Sequence, residues 1–295
     1  MKNFIDCNGD EIKNVEDGFI GSALLSLEKK LPDFDKYTFI LYGNNDTSQP
    51  VAKHFKHPNK VLIWQSNENK NINLKGMESE FVHIFANYHW NSENITSIPL
   101  GYATDPKLNE VVPINERLFG ISFVGCLNRN RVGIASRISG INSTLIGLGL
   151  TFCKKFTLKL LNGISKYKTT KNVYQFNPDF NSGLDGERYS WILRHSKIAL
   201  VPRGWVNSET FRLYEAMRYG CVVICEELPD REYYKGIPVI MVKDWNEGLE
   251  IANDGLKAST SLEILSDLNK KFYEEKLSPD ATADIMFNKL KNKLC

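Results

Sequence analysis

The chain has 295 residues, 42% of them hydrophobic and 24% charged. It can bury one large core or two of ordinary size, and its composition is that of a globular protein. A net charge of +2 is too small to indicate a nucleic-acid binder. The N-terminal MKNFIDCNGDE carries polar residues where a signal peptide needs its apolar region. No run approaches the roughly 18 apolar residues of a spanning helix. A cytoplasmic protein is expected, with at most peripheral membrane contact. Cys7, Cys126, Cys153, Cys221, Cys225 and Cys295 include no CxxC pair. Cys221 and Cys225 would lie about 13 Å apart on one strand face, too far for a disulfide, and read as core thiols.

Short apolar runs alternate with helical patterns along the chain, which predicts an α/β fold with parallel sheets. Strands are expected over 37–42, 60–65, 81–86 and 95–100, the last closing in Pro99-Leu100-Gly101-Tyr102. Fully apolar strands followed by polar loops indicate a sheet covered on both faces. Ligands bind beyond the carboxyl ends of such strands, so loops bearing Asp46, Glu68 and His89 should share one rim. From 102 to about 117 the pattern is loop-like, with Pro106 and Pro113, and marks a linker. A second α/β block is expected from strands at 119–124, 170–174, 197–201, 221–225 and 237–242. The tail from 261 is helical by periodicity. The expected division is 1–110 for an N-terminal α/β domain, 111–260 for a ligand-binding α/β domain, and 261–295 for helices packing back on the first.

Charge is unevenly distributed. Between Leu118 and Pro178 there is no Asp or Glu, while Arg129, Arg131, Arg137, Lys154, Lys155, Lys159, Lys166, Lys168 and Lys171 are all positive. That pattern suits an anionic ligand or an anionic membrane face, or else a plain solvated lysine surface. Asp33-Phe34-Asp35 precedes a strand instead of following one and reads as a turn. His54, His57, His83 and His89 lack zinc-type spacing, so no metal is expected. Trp90, Tyr88 and Trp205 suit either sugar stacking or packing.

The richest segment is 196–230, SKIALVPRGWVNSETFRLYEAMRYGCVVICEELPD. A buried strand ends at Pro202, a loop from Arg203 and Gly204 follows, and a helix is expected from an N-cap at Ser208 to a stop at Gly220. Backbone N–H groups at that helix start favour phosphate oxygens. Arg203 adds a charge-assisted contact and Gly204 permits close approach. Ser208, Arg212 and Glu215 are spaced to line one helix face.

Pro202, Gly204, Ser208, Arg212, Glu215, Ala216, Gly220 and Cys221 together resemble the C-terminal signature of exostosin-like glycosyltransferases. Leu228-Pro229-Asp230 and Asp244-Trp245 resemble that family's downstream elements, and Phe123-Val124-Gly125 with Arg129 and Arg131 its first nucleotide-domain strand and loop. The resemblance spans roughly 119–245. It implies a GT-B fold, two Rossmann-like domains facing across a cleft, in a bacterial or viral soluble member without the anchor of animal Golgi relatives. It further implies an inverting, metal-independent transfer from a nucleotide-diphosphate sugar to a glycan acceptor, with no cofactor beyond the donor. UDP is the first choice of nucleotide, and a pentose such as xylose is among the sugars. By that resemblance Glu215 meets the ribose, Arg203, Ser208 and Arg212 lie near the diphosphate, and Arg129 and Arg131 oppose them. An inverting transfer needs a general base, for which Asp46 and Glu68 lead and His89 is third. A non-catalytic nucleotide-sugar- or glycan-binding subunit is the alternative on the same scaffold, and an epimerase or glycan phosphorylase a further one.

Overall fold

The computed structural model describes residues 4–5, 18–43, 59–66, 73–89, 91–103, 111–168, 171–180 and 182–294. Asp46, Glu68, His54, His57 and Trp90 lie outside the described residues. The chain divides into two compact units. One comprises Met1–Ala103, Arg231–Tyr233 and Glu274–Cys295, the other Thr104–Asp230 and Tyr234–Tyr273. Among the described residues no helix is long and apolar enough to cross a membrane.

The first unit is built on a parallel sheet of β1 (Phe4–Ile5), β2 (Thr38–Tyr42), β3 (Lys60–Trp64), β4 (His83–Ala86) and β5 (Ile95–Ser97), in that spatial order. Alternate side chains serve opposite faces. Phe39, Val61, Ile63 and Phe85 pack with α1 (Phe19–Lys30) and α9 (Pro279–Leu290). Ile40, Tyr42, Leu62, Trp64 and Ile84 form a separate cluster with Leu74 and Met77. A sheet covered twice explains the uninterrupted apolar runs. In the Pro99–Tyr102 stretch, Gly101 has φ +78°, and a Cβ there would meet the Phe19 ring at 2.1 Å. Only glycine fits both demands.

The second unit carries β6 (Phe119–Cys126), β7 (Val173–Asn177), β8 (Ser196–Val201), β9 (Val222–Glu226) and β10 (Ile240–Val242), all parallel, in the order β10-β9-β8-β6-β7. Its helices are α2 (Val132–Ser139), α3 (Ser143–Phe152), α4 (Lys154–Lys168), α5 (Gly186–Arg194), α6 (Phe211–Arg218), α7 (Trp245–Gly255) and α8 (Ser259–Phe272). Helix α8 belongs to this unit, so of the tail expected to pack on the first domain only Glu274 onward does so. Strand β7 begins later than the sequence pattern suggested and runs to Asn177, because Asn162 on α4 pairs with both backbone groups of Phe176.

The two sheets differ in one consequential way. In the first, spatial order follows chain order. In the second, β7 lies on one side of β6 and β8 on the other. The order of strands therefore reverses between β6 and β8, and in open parallel sheets the ligand crevice lies beyond the carboxyl ends at such a reversal.

Residue Arg117, assigned by its loop-like surroundings to a linker, is instead buried at 5% exposure. It donates to the carbonyls of Val112, Ser196, Tyr219 and Gly220 and so ties the start of β8 to the end of α6.

Candidate functional site

At the carboxyl end of β6 the chain passes through Gly125 and Cys126 into a 3-10 turn, Arg129–Arg131, that leads directly into α2. Arg129 is exposed, while Arg131 is buried. The Arg131 guanidinium donates to Cys126 O (2.8 Å) and to Arg203 O (2.9 Å), joining the loops that follow β6 and β8. Beside it Asn130 donates to the carbonyls of Gly204 and Trp205, both at 2.8 Å.

The loop after β8 is folded on itself. Gly204 N donates to Asn207 O (2.8 Å), and Arg203 Nη2 to Val206 O (3.1 Å). Those bonds, with the two from Asn130, hold 203–207 out of the helix. Helix α6 consequently starts at Phe211, with Thr210 as N-cap and no side chain capping its first turn. Ser208 is therefore not the N-cap, and it lies in the loop instead of on the helix face with Arg212 and Glu215. The other end behaves as its sequence suggests: Gly220 stands after the C-cap Tyr219 with φ +64°, the left-handed stop of a helix.

From α6, Arg212 reaches back across the sheet. Its Nε and Nη2 donate to Val124 O at 3.1 and 2.6 Å, and its guanidinium carbon lies 5.0 Å from the Phe123 ring centroid. A Cβ on Gly125 would stand 2.0 Å from Arg212 Nη2 and 3.6 Å from Arg131 Nη1. The missing side chain at Gly125 is what lets two guanidinium groups converge there. Neither arginine makes an ion pair with a carboxylate among the described residues. Burial, and then the charge of Arg212, bring the Arg131 pKa down to about 9, the mark of a cation held away from water beside a like charge.

Three buried polar atoms around the same loops have no hydrogen-bond partner: Asn128 Oδ1, Arg203 Nε and Thr210 Oγ1. They are three of ten such atoms among the described residues, and these three follow β6, follow β8 and precede α6.

Glu215 is buried inside α6 at 6% exposure, not on a solvent face. Tyr189 of α5 lies against it: burial first, and then the Glu215 charge, push that phenol's pKa well above its usual value. A second buried carboxylate, Glu209, accepts from Tyr234 OH (3.2 Å), which in turn pairs with Tyr214 OH (2.6 Å). Glu226 accepts from Trp245 Nε1 (2.9 Å) and faces Arg203 N (3.5 Å). Sequence reasoning missed Asn128, Asn130, Tyr189, Glu209 and Glu226. The Asn-Arg-Asn-Arg string could have flagged the first two, but no spacing rule links Tyr189 to Glu215.

In the first unit the parallel sheet places the ends of β2, β3 and β4 on one rim. Asn87 braces it, accepting from Ser66 N and donating to the carbonyls of Ile98 and Pro99. His89 is half-buried on that rim, and its carbonyl accepts from Arg231. Burial and then Arg231 lower its pKa. Trp205 is largely exposed.

The profile of the RXYLT1 C-terminal domain matches residues 159–265. A search of curated protein sequences finds no match. Among solved structures, a glycosyltransferase from Rickettsia africae ESF-5 is similar at TM-score 0.51 and 13% identity, covering 96% of this chain and 84% of that one. Sucrose-phosphate synthase from Thermosynechococcus elongatus is similar at TM-score 0.51 and 13% identity, covering 85% and 72%. The pneumococcal O-GlcNAc transferase GtfA, in complex with UDP and GlcNAc, is similar at TM-score 0.51 and 10% identity, covering 93% and 60%. At these identities the likeness concerns architecture, and that architecture is the GT-B fold.

Proposed function

We propose that this protein is an inverting, metal-independent glycosyltransferase that moves a sugar from a nucleotide-diphosphate donor to a hydroxyl of a glycan acceptor. The observation that carries the reading is the convergence of Arg131 and Arg212 on Gly125 at the strand-order reversal, with no carboxylate ion-paired to either among the described residues. Two converging guanidinium groups suit a diphosphate, whose oxygens accept charge-assisted bonds. In transfer the diphosphate leaves with added negative charge, and fixed positive groups stabilise it without reorganising. Arg203, with an unpartnered buried Nε, Gly204 and Ser208 complete the diphosphate side of the proposal, and Arg129 stands at its surface. Glu215 is assigned to the ribose hydroxyls. UDP is the nucleotide of first choice, supported by the UDP held in the pneumococcal transferase. The exostosin-related xylosyltransferase family behind the matched profile supports a pentose such as xylose.

The base is assigned to Asp46 or Glu68, with His89 as the candidate among the described residues. Calorimetry with UDP tests the donor half. Glu215→Gln keeps the volume of a buried side chain and should weaken UDP binding at least tenfold at unchanged melting temperature. Equal affinity would remove the ribose assignment. Asp46→Asn, Glu68→Gln and His89→Gln address the other half: one of them should retain UDP affinity and lose transfer. Full turnover in all three would place the base elsewhere, and an absence of even slow UDP-sugar hydrolysis by the native chain would favour a binding subunit.

A further inference from the structure

Helices α3 and α4 are packed into the core by only one side. Ile146, Leu158 and Leu161 are buried in the hydrophobic cluster of the second unit, and Asn162 bonds α4 to the edge strand β7. The helices meet closely, since a Cβ on Gly149 would lie 2.3 Å from Thr157 Oγ1. Cys153 continues the hydrogen bonding from one to the other, donating to Gly149 O and accepting from Thr157 N.

The outer side is unusual. Leu145, Leu148 and Phe152 of α3 are exposed, followed by Phe156 and Leu160 of α4, with Phe152 at 77% and Phe156 at 69%. Leu145, Leu148 and Phe152 share one face of α3, and Phe156 and Leu160 one face of α4, the two helices joining at the non-helical Cys153. Scattered surface leucines are ordinary, but a contiguous apolar ridge marks an interaction site. Lys154, Lys155 and Lys159 are exposed beside it, and none is ion-paired among the described residues. No Asp or Glu occurs from Leu118 to Pro178 to offset them.

We propose that the α3–α4 ridge docks on an anionic lipid bilayer, Phe152, Phe156 and the leucines entering the headgroup boundary while Lys154, Lys155 and Lys159 meet the lipid phosphates. Charge complementarity favours this occupant. A second copy of the chain would bring the same lysines against each other, whereas an anionic surface rewards both halves of the stripe together. The assignment is independent of the transferase reading, since it uses no residue of the arginine crevice.

The test is co-sedimentation of the full chain with vesicles of phosphatidylcholine alone and with one-third phosphatidylserine. Binding should be at least tenfold stronger to the anionic vesicles and fall with added salt. Phe152→Ser with Phe156→Ser, and separately Lys154→Glu with Lys155→Glu and Lys159→Glu, should each reduce it at least tenfold. All five positions are exposed, and an unchanged melting temperature verifies the fold of each variant. Absence of binding to anionic vesicles overturns the proposal. So does retention of binding by the phenylalanine variant, which would reveal a generic polyanion surface. A native chain that is dimeric by light scattering, and monomeric in the phenylalanine variant, also overturns it in favour of self-association.

Discussion

Gly125 shows how much a single missing side chain can decide. Its neighbour Val124 offers a carbonyl to Arg212, and the space above it admits Arg131 as well. Gly125→Ala would push Arg212 off that carbonyl, since the new Cβ and Nη2 cannot stand 2.0 Å apart. A loss of about 1–2 kcal/mol in stability is expected from the displaced hydrogen bonds, with UDP affinity falling tenfold or more. Thermal melting and calorimetry read the two effects separately, and unaltered UDP affinity would contradict the role given to this pair. His83 carries a different prediction. It is fully buried, its Nε2 lies 2.8 Å from Thr96 Oγ1, and burial followed by Lys293 and Lys289 lowers its pKa to about 4. Between pH 6.5 and 4 the unfolded chain binds a proton that the folded chain refuses. The stability is therefore intact above pH 6.5 and is lost as pH falls through that window, by on the order of 1–3 kcal/mol. Urea midpoints measured from pH 7 to 4.5 should drop, and His83→Gln should flatten the slope.

At the scale of elements, sequence pattern found the buried strands because a doubly covered parallel sheet demands apolar runs that few other structures need. It misplaced the start of α6 because the residues that keep 203–207 out of the helix include Asn130, which is far away in the chain. Local capping preference at Ser208 is worth about 1 kcal/mol, and several long-range bonds outweigh it. Arg117 was hidden for the same reason: its loop-like neighbours say nothing of the four carbonyls it serves. Replacing it tests the element it holds. Arg117→Met should destabilise the second unit by about 3 kcal/mol by leaving buried carbonyls unpaired. Arg117→Lys should recover little, because a single ammonium cannot reproduce the planar fork. Thermal melts of both variants check the ranking, and a lysine variant as stable as the native chain would refute the clamp.

At the scale of the whole molecule, the chain returns to its first unit briefly at Arg231–Tyr233 and again from Glu274 onward. Helix α9 places Ala283, Met286 and Leu290 in the core, all at 0% exposure, and Leu290 O accepts from Tyr37 OH at 2.8 Å. A chain ending at Tyr273 should therefore lose hydrogen-exchange protection in β2, β3 and β4 while keeping it in β6, β8 and β9. Met286→Ala should produce a milder form of the same change, costing about 2–5 kcal/mol. Equal loss in both sheets would show that the units fold as one.

The sequence by itself determined the α/β class, the two blocks of parallel strands, the glycine stop after α6 and the arginine-rich character of the crevice, because each depends on local periodicity, local backbone geometry or residue type. Tertiary structure alone decided that Arg131 and Arg212 meet at Gly125, that Glu215 is buried beside Tyr189, and that α9 belongs with the first sheet. Those outcomes rest on pairings between residues distant in the chain, where sheet order brings together what no spacing rule connects.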